Sequence, residues 1–274
     1  MIKIDLHVHS YYSDGSDSPE QVLNVAEEEG VKLLSLTDHN FINPESEHLK
    51  KNKTNNIDIL QGIEISCIDR TSNKSIHMLG YSKSFNIKGI NDALISTLDG
   101  YNNRAKNIIN KLNSEYNCNF DFGKIKSEIK SVFVSRNLIA EKLVGFLGNN
   151  ISIKEALKKV FIEGEDDSWM IGVEEAIGII KNNGGKAFLA HPGNLIDKID
   201  FDSFLKRLKD SGLDGIEVYY PKHTPGTVAF LEETSEKFGL VKSAGSDFHG
   251  KRYSSFLPGI YVKDDVYHNF LKLF

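Results

Sequence analysis

The chain has 274 residues, 40% of them hydrophobic and 26% charged, an ordinary globular composition with length for one large or two ordinary domains. Its 33 basic residues against 38 acidic ones give a net charge of −5, which excludes a protein that coats long nucleic acid but leaves room for a strand end or a small phosphorylated molecule. Two distant cysteines, Cys67 and Cys118, exclude a disulfide framework; with no apolar leader and no membrane-length apolar run, the sequence predicts a cytoplasmic protein.

Residues 2–9 alternate as a half-buried strand, with Ile2, Ile4, Leu6 and Val8 on one face and Asp5, His7 and His9 on the other. The chain then turns at Ser13-Asp14-Gly15. Ser18-Pro19-Glu20-Gln21 opens a helix with a serine cap, a proline in the first turn and a glutamine to complete a capping box; Gly30 ends it. Further strands read in "VKLLSLTD", "IDILQGIEIS", "KSIHMLGYS", "GGKAFLAHPG", "LDGIEVYY" and "GLVKSAGSDFHG", and helical patterns lie between the later ones. This alternation predicts a parallel α/β sheet, open or closed into a barrel. The lysine- and asparagine-rich "LKKNKTNNID" reads as a solvated loop. From about Gly89 to Gly164 only helical patterns occur, which predicts a small helical domain (89–164) inserted into a discontinuous domain of residues 1–88 and 165–274.

The polar residues of interest lie at the predicted C-terminal ends of strands. These are His7 and His9, Asp14 in the following turn, His39 in "LTDHN", Glu64 in "GIEIS", His77 at the start of "HMLGY", His191 in "FLAHPG", and Asp247 and His249 in "GSDFHG". The i, i+2 spacing places His7 with His9, and Asp247 with His249, on one strand face. In parallel α/β folds that end of the sheet is where active sites form. Six of the nine histidines at one rim would repel when protonated, whereas zinc, manganese or iron accepts neutral imidazole and carboxylate together. Nine ligands exceed the needs of one ion, so two or three ions sharing Glu64 are expected. His48 and His268 read as surface residues, Asp38 as a group that orients a neighbour, and Asp5 as part of a buried network.

This ordered set, H-x-H, Asp14, "TDH", "GIEIS", "IHMLGY", "AHPG" and "GSDFHG", resembles the PHP (polymerase and histidinol phosphatase) family over about three-quarters of the chain, and within it the stand-alone branch often labelled TrpH or YciV. The resemblance implies a distorted (β/α)7 barrel with a small inserted helical domain and a trinuclear metal centre. By motif, His7, His9, Glu64 and Asp247 would hold one metal and the water it activates. Glu64 would bridge to a second ion on His77 and His191, and Asp14, His39 and His249 would hold the third. All nine positions carry the residue type the family pattern asks for.

A polynuclear His/Asp site suits hydrolysis of a phosphate ester, and no P-loop, G-x-S-x-G or dinucleotide fingerprint competes. Arg136, at the start of "RNLIAEKLV", is expected to bind a substrate phosphate. Similar proteins carry arginine-proline-histidine there, and this chain keeps the arginine but has Asn137 and Leu138. His223 in "VYYPKHTP" matches a histidine of the branch and is expected in the same role, with Lys222 a weaker candidate. The leading expectation is a phosphomonoesterase on a small nucleotide (a nucleoside 3′,5′-bisphosphate or monophosphate). The alternatives are a 5′→3′ exoribonuclease on short RNA, then a histidinol phosphatase or a metal-binding module without turnover. No membrane, long nucleic acid or obligate protein partner is expected.

Overall fold

The computed structural model describes residues 1–43, 57–148, 150–163 and 167–274. Strand β1 (Ile2–Val8) leads through a loop into helix α1 (Pro19–Glu28), and β2 (Leu33–Leu36), β3 (Asp58–Asp69) and β4 (Lys74–Ser82) follow. The Ser18 hydroxyl accepts from the Gln21 amide and the Gln21 side chain accepts from the Ser18 amide, so the expected capping box forms. Helices α2 (Ile87–Ala93), α3 (Ile95–Tyr116), α4 (Phe122–Ser127), α5 (Arg136–Phe146) and α6 (Ile153–Lys159) come next, with no strand among the described residues of this stretch. The second half comprises α7 (Val173–Asn182), β5 (Lys186–Leu189), α8 (Phe201–Asp210), β6 (Gly215–Tyr219), α9 (Pro225–Phe238), β7 (Val241–Ala244), β8 (Ile260–Val262) and α10 (Asp264–Leu271).

The strands form one sheet in the order β7-β6-β5-β4-β3-β2-β1-β8. Past the end of β7 the chain returns to β1: the Asp247 amide donates to the His7 carbonyl (2.8 Å) and the His9 amide to the Phe248 carbonyl (2.7 Å). The sheet is thereby nearly closed into a barrel. Gly245 makes this approach feasible, because a Cβ there would lie 2.2 Å from the His7 Cβ and 2.6 Å from Glu217 Oε1.

The sheet is mixed, where strand alternation predicts a parallel one. β3 and β4 pair antiparallel from Gln61↔Ser82 to Asp69↔Lys74, β4 pairs antiparallel with β5, and β8 antiparallel with β1. The turn at residues 70–73 is too short for a crossover, so β3 and β4 must form a hairpin. His77 therefore sits within β4, opposite Ser66, and not after a strand's C-terminal end. It still reaches the ligand-bearing rim because β4 runs in the opposite direction. β8, three residues long, has no counterpart in the sequence reading.

Burial divides the core by element. Ile63, Ile65, Met78, Leu189 and Ile216 pack with α7, α8 and α9, and Val8, Leu34 and Leu36 with α1. Ile4, Leu6, Leu79 and Phe188 pack with Val266 and Phe270 of α10. Ile108, Leu112, Ile139, Leu143, Ala156 and Val160 form a separate cluster among α3, α5 and α6. The expected boundary at position 89 falls inside α2, and the one at 164 lies outside the described residues, as does His48. Among the described residues no helix is long and apolar enough to cross a membrane.

Candidate metal centre

Glu64 sits at the middle of the site, 1% exposed, with its two oxygens facing different partners. Oε2 lies 3.2 Å from His7 Nε2, 3.1 Å from His9 Nε2 and 3.2 Å from His39 Nδ1. Oε1 lies 2.9 Å from His77 Nδ1 and 3.2 Å from His191 Nε2. Asp247 Oδ1 is 3.5 Å from His7 Nε2 and 3.4 Å from His9 Nε2. Asp14 Oδ1 is 3.3 Å from His249 Nε2 and 3.7 Å from His9 Nδ1. All nine expected ligands thus gather at one place.

Among the described residues three groups have potential ligand atoms within 4.8 Å of one another: His7, His9, Glu64 and Asp247; His9, Asp14, His39 and His249; and His39, Glu64 and His77. The first coincides with an expected set, and the second is the expected third set with His9 added. His191 instead approaches Glu64 from beside His77, ring centroids 5.2 Å apart, without completing such a group among the described residues.

Burial and charge oppose each other here. For His9, burial disfavours the charged ring, but Asp247, Glu64 and Asp14 outweigh it and raise its pKa to about 10. His7 is also held well above its ordinary value: burial works against this, and Glu64 and Glu217 overcome it. His39 goes the other way, to about 4, because burial exceeds the pull of Glu64 and Asp14. Glu64 and Asp247 are held well below the carboxylate range against their own burial, Glu64 by His7, His39 and His77, and Asp247 by His9, His7 and His249. His7 Nε2, His9 Nε2 and Asp14 Oδ1 are buried without hydrogen-bond partners. Buried imidazole nitrogens and carboxylate oxygens that face each other in this way fit a divalent transition-metal cation, which would satisfy them together.

Surrounding groups fix the ligands. Glu217 is fully buried: its Oε1 lies 3.0 Å from His7 Nδ1, and its Oε2 accepts from the His191 amide at 2.7 Å. With His7 Nδ1 so engaged, Nε2 is the nitrogen left to face the cluster. Sequence reasoning missed Glu217, although an acid between isoleucine and valine in a short apolar strand was a usable signal. Tyr220, also missed, donates its hydroxyl to Asp247 Oδ2 at 3.0 Å. Asp38 orients its neighbours, accepting from the Ser10 amide (2.8 Å), the Ser10 hydroxyl (2.7 Å) and the Ser13 hydroxyl (2.6 Å), and so holds the loop that delivers Asp14. Asp5 accepts from the amides of Ser246 (2.9 Å), Gly259 (2.7 Å) and His7 (3.2 Å), and burial pushes its pKa up to about 6. Three residues of the rim, Asn40, His191 and Asp247, have φ of 56°, 31° and 57°. Such left-handed backbone costs a non-glycine residue about 1–3 kcal/mol.

A cavity of about 540 Å³ opens over the cluster. It is lined by Asp14, His39, Ser66 and His77 and, from the helical stretch, by Tyr101, Phe133, Phe161 and Arg136. Arg136 is the first residue of α5, whose cap is the Ser135 hydroxyl accepting from the Leu138 amide. His223 does not share this placement. Its Nδ1 lies 2.9 Å from the Val218 carbonyl and donates to it, while its Nε2 accepts from the Gly193 amide at 3.2 Å. The ring thus has no N–H left for a phosphate; it braces the turn after His191. Lys222, 65% exposed, has its Nζ 3.7 Å from Asp247 Oδ2. His268 is exposed on α10.

The PHP domain model matches residues 5–185. The chain is 30% identical to the 5′-3′ exoribonuclease Rnm of Escherichia coli, over 89% of this chain and 84% of that one. It is 29% identical to the phosphoribosyl 1,2-cyclic phosphate 1,2-diphosphodiesterase of Eggerthella lenta (90% and 94% covered) and 27% identical to the 3′,5′-nucleoside bisphosphate phosphatase of Chromobacterium violaceum (91% and 88%). Among solved structures, a Bifidobacterium adolescentis protein superposes with a TM-score of 0.82 at 22% identity, covering 98% of this chain and 95% of that one. A Chromobacterium violaceum amidohydrolase, solved with sulfate and no metal, superposes at 0.81 and 24% identity, covering 98% and 96%. These two likenesses concern the fold. With its family match and its His/Asp/Glu cluster able to bind metal, the chain belongs to the PHP family of metal-dependent phosphoesterases and is a phosphoric ester hydrolase.

Proposed function

We propose that the enzyme hydrolyses a phosphate monoester of a small nucleotide, a nucleoside 3′,5′-bisphosphate or monophosphate, with two or three manganese, iron or zinc ions. The observation that carries this reading is the single cavity lined by Arg136 together with His39, Asp14 and His77. Arginine binds phosphate oxygens through a planar fork of N–H groups. The volume suits a small ligand, and the net charge of −5 disfavours a long polyanion.

On this reading His7, His9, Glu64 and Asp247 would hold one ion, Glu64 with His77 and His191 a second, and Asp14, His39 and His249 a third. Bound divalent ions would supply an activated water and neutralise charge on the phosphoryl group. Around them, Glu217 keeps His7 and the His191 turn in place, Tyr220 holds Asp247, and Asp38 holds the Asp14 loop. Arg136 orients a phosphate that is not being cleaved.

A second reading, 5′→3′ trimming of short RNA, has its own support. A cavity of about 600 Å³ adjoins the first, sharing Asp14, Phe133, Ser135 and Asn137 and adding Lys130, Lys251, Arg252 and Tyr253. A chain crossing the centre would occupy both. A panel of mono- and bisphosphorylated nucleotides and short 5′-phosphorylated RNAs, assayed with added manganese, separates the two. Faster phosphate release from the bisphosphate supports the first reading, and faster release of mononucleotides from RNA replaces it with the second.

A further inference from the structure

Phe161 follows α6, and its ring is 57% exposed. Exposing a large apolar ring forfeits burial free energy, and of the large hydrophobic side chains exposed among the described residues, only Phe161 lines the cavity over the cluster. Its backbone is fixed: the Lys111 ammonium, on α3, donates to the Phe161 carbonyl and to the Lys159 carbonyl, both at 2.9 Å. The Arg136 guanidinium carbon lies 5.7 Å from the Phe161 ring centroid. Tyr101 and Phe133 pack with ring centroids 4.9 Å apart and line the same cavity. A held backbone, an exposed ring at the cavity and a guanidinium beside it together suit a ligand with a flat aromatic end and an anionic end.

We propose that Phe161 is the platform on which the nucleobase of the substrate stacks, adjacent to the phosphate that Arg136 orients. This rests on the nucleotide reading above and deepens it, by requiring a base and not only a phosphorylated sugar. A bare sugar phosphate would leave the ring in water. Base–aromatic stacking accepts any base, because each has a π-face, so selection should be for the presence of a base more than for its identity.

The test compares wild type with Phe161→Ala and Phe161→Trp, loaded with manganese, on adenosine 3′,5′-bisphosphate and on ribose 3,5-bisphosphate. With the platform in place, Phe161→Ala lowers kcat/KM on the nucleotide about tenfold, mainly through KM, leaves the base-free ester unchanged and keeps its metal; Phe161→Trp restores the loss. A second readout is the fluorescence of a non-hydrolysable 2-aminopurine nucleotide, quenched on stacking with wild type and Phe161→Trp but not with Phe161→Ala. Equal losses on both esters, or no loss on either with unchanged quenching, overturns the platform while leaving the phosphoesterase in place. A wild type that releases phosphate from neither ester overturns the nucleotide reading, and quenching that depends on Phe161 would then still support a base platform.

Discussion

Arg136 lines the cavity over the cluster and Glu217 contacts His7 and His191 beneath it, so their substitutions should separate substrate binding from metal binding. On the proposed role of Arg136, Arg136→Ala would remove a charge-assisted phosphate contact worth about 1.5–3 kcal/mol, so kcat/KM for a bisphosphate should fall roughly tenfold to a hundredfold with metal content intact. A monophosphate should be affected far less. Equal losses on both would put Arg136 on the reacting group, and no loss would remove it from the site. Glu217→Gln keeps the shape but weakens the hold on His7 Nδ1 and the His191 amide. Metal affinity should drop about 10–100-fold by titration against a chelator, since groups that orient metal ligands typically matter by that much. Unchanged affinity would mean that Glu217 only packs.

Among elements, the close approach of β7 to β1 at Gly245 is a sensitive joint, because a methyl group there meets His7 and Glu217. Gly245→Ala should destabilise the protein by about 1–3 kcal/mol, as overpacking in a tight core does, measured as an earlier midpoint in urea; an unchanged midpoint would show that the joint can spread. Strand positions and the nine clustered residues were legible in the sequence because most of them interrupt or directly follow a short apolar run, and Asp14 lies in the turn after the first one. The antiparallel β3–β4 hairpin was less legible, since alternation reports strands but not direction, and only the short turn at 70–73 decides it. β8 was too brief to show a pattern. The backbone contacts of His223 were not legible, because a histidine after a strand looks the same in sequence whether its ring faces a ligand or two backbone groups. Glu217 was passed over because its role exists only through contacts to His7 and His191, distant in sequence.

For the whole molecule, the buried ring nitrogens and carboxylates make metal binding and folding one linked equilibrium. Free ion at about a thousand times its dissociation constant should stabilise the native state by about 4 kcal/mol, and a chelator should lower Tm accordingly. A Tm indifferent to chelator would break that link. That Glu64, with partners on both of its oxygens, joins two ion sites is the proposal on which the metal centre turns. Its most direct test is metal stoichiometry by elemental analysis of manganese-loaded wild type and Glu64→Ala, each passed through a desalting column. Two or three ions are expected per wild-type chain, with loss of most of them, and of nearly all hydrolysis, in Glu64→Ala. Wild-type protein that holds only trace metal and hydrolyses its substrate unaffected by chelator would contradict it.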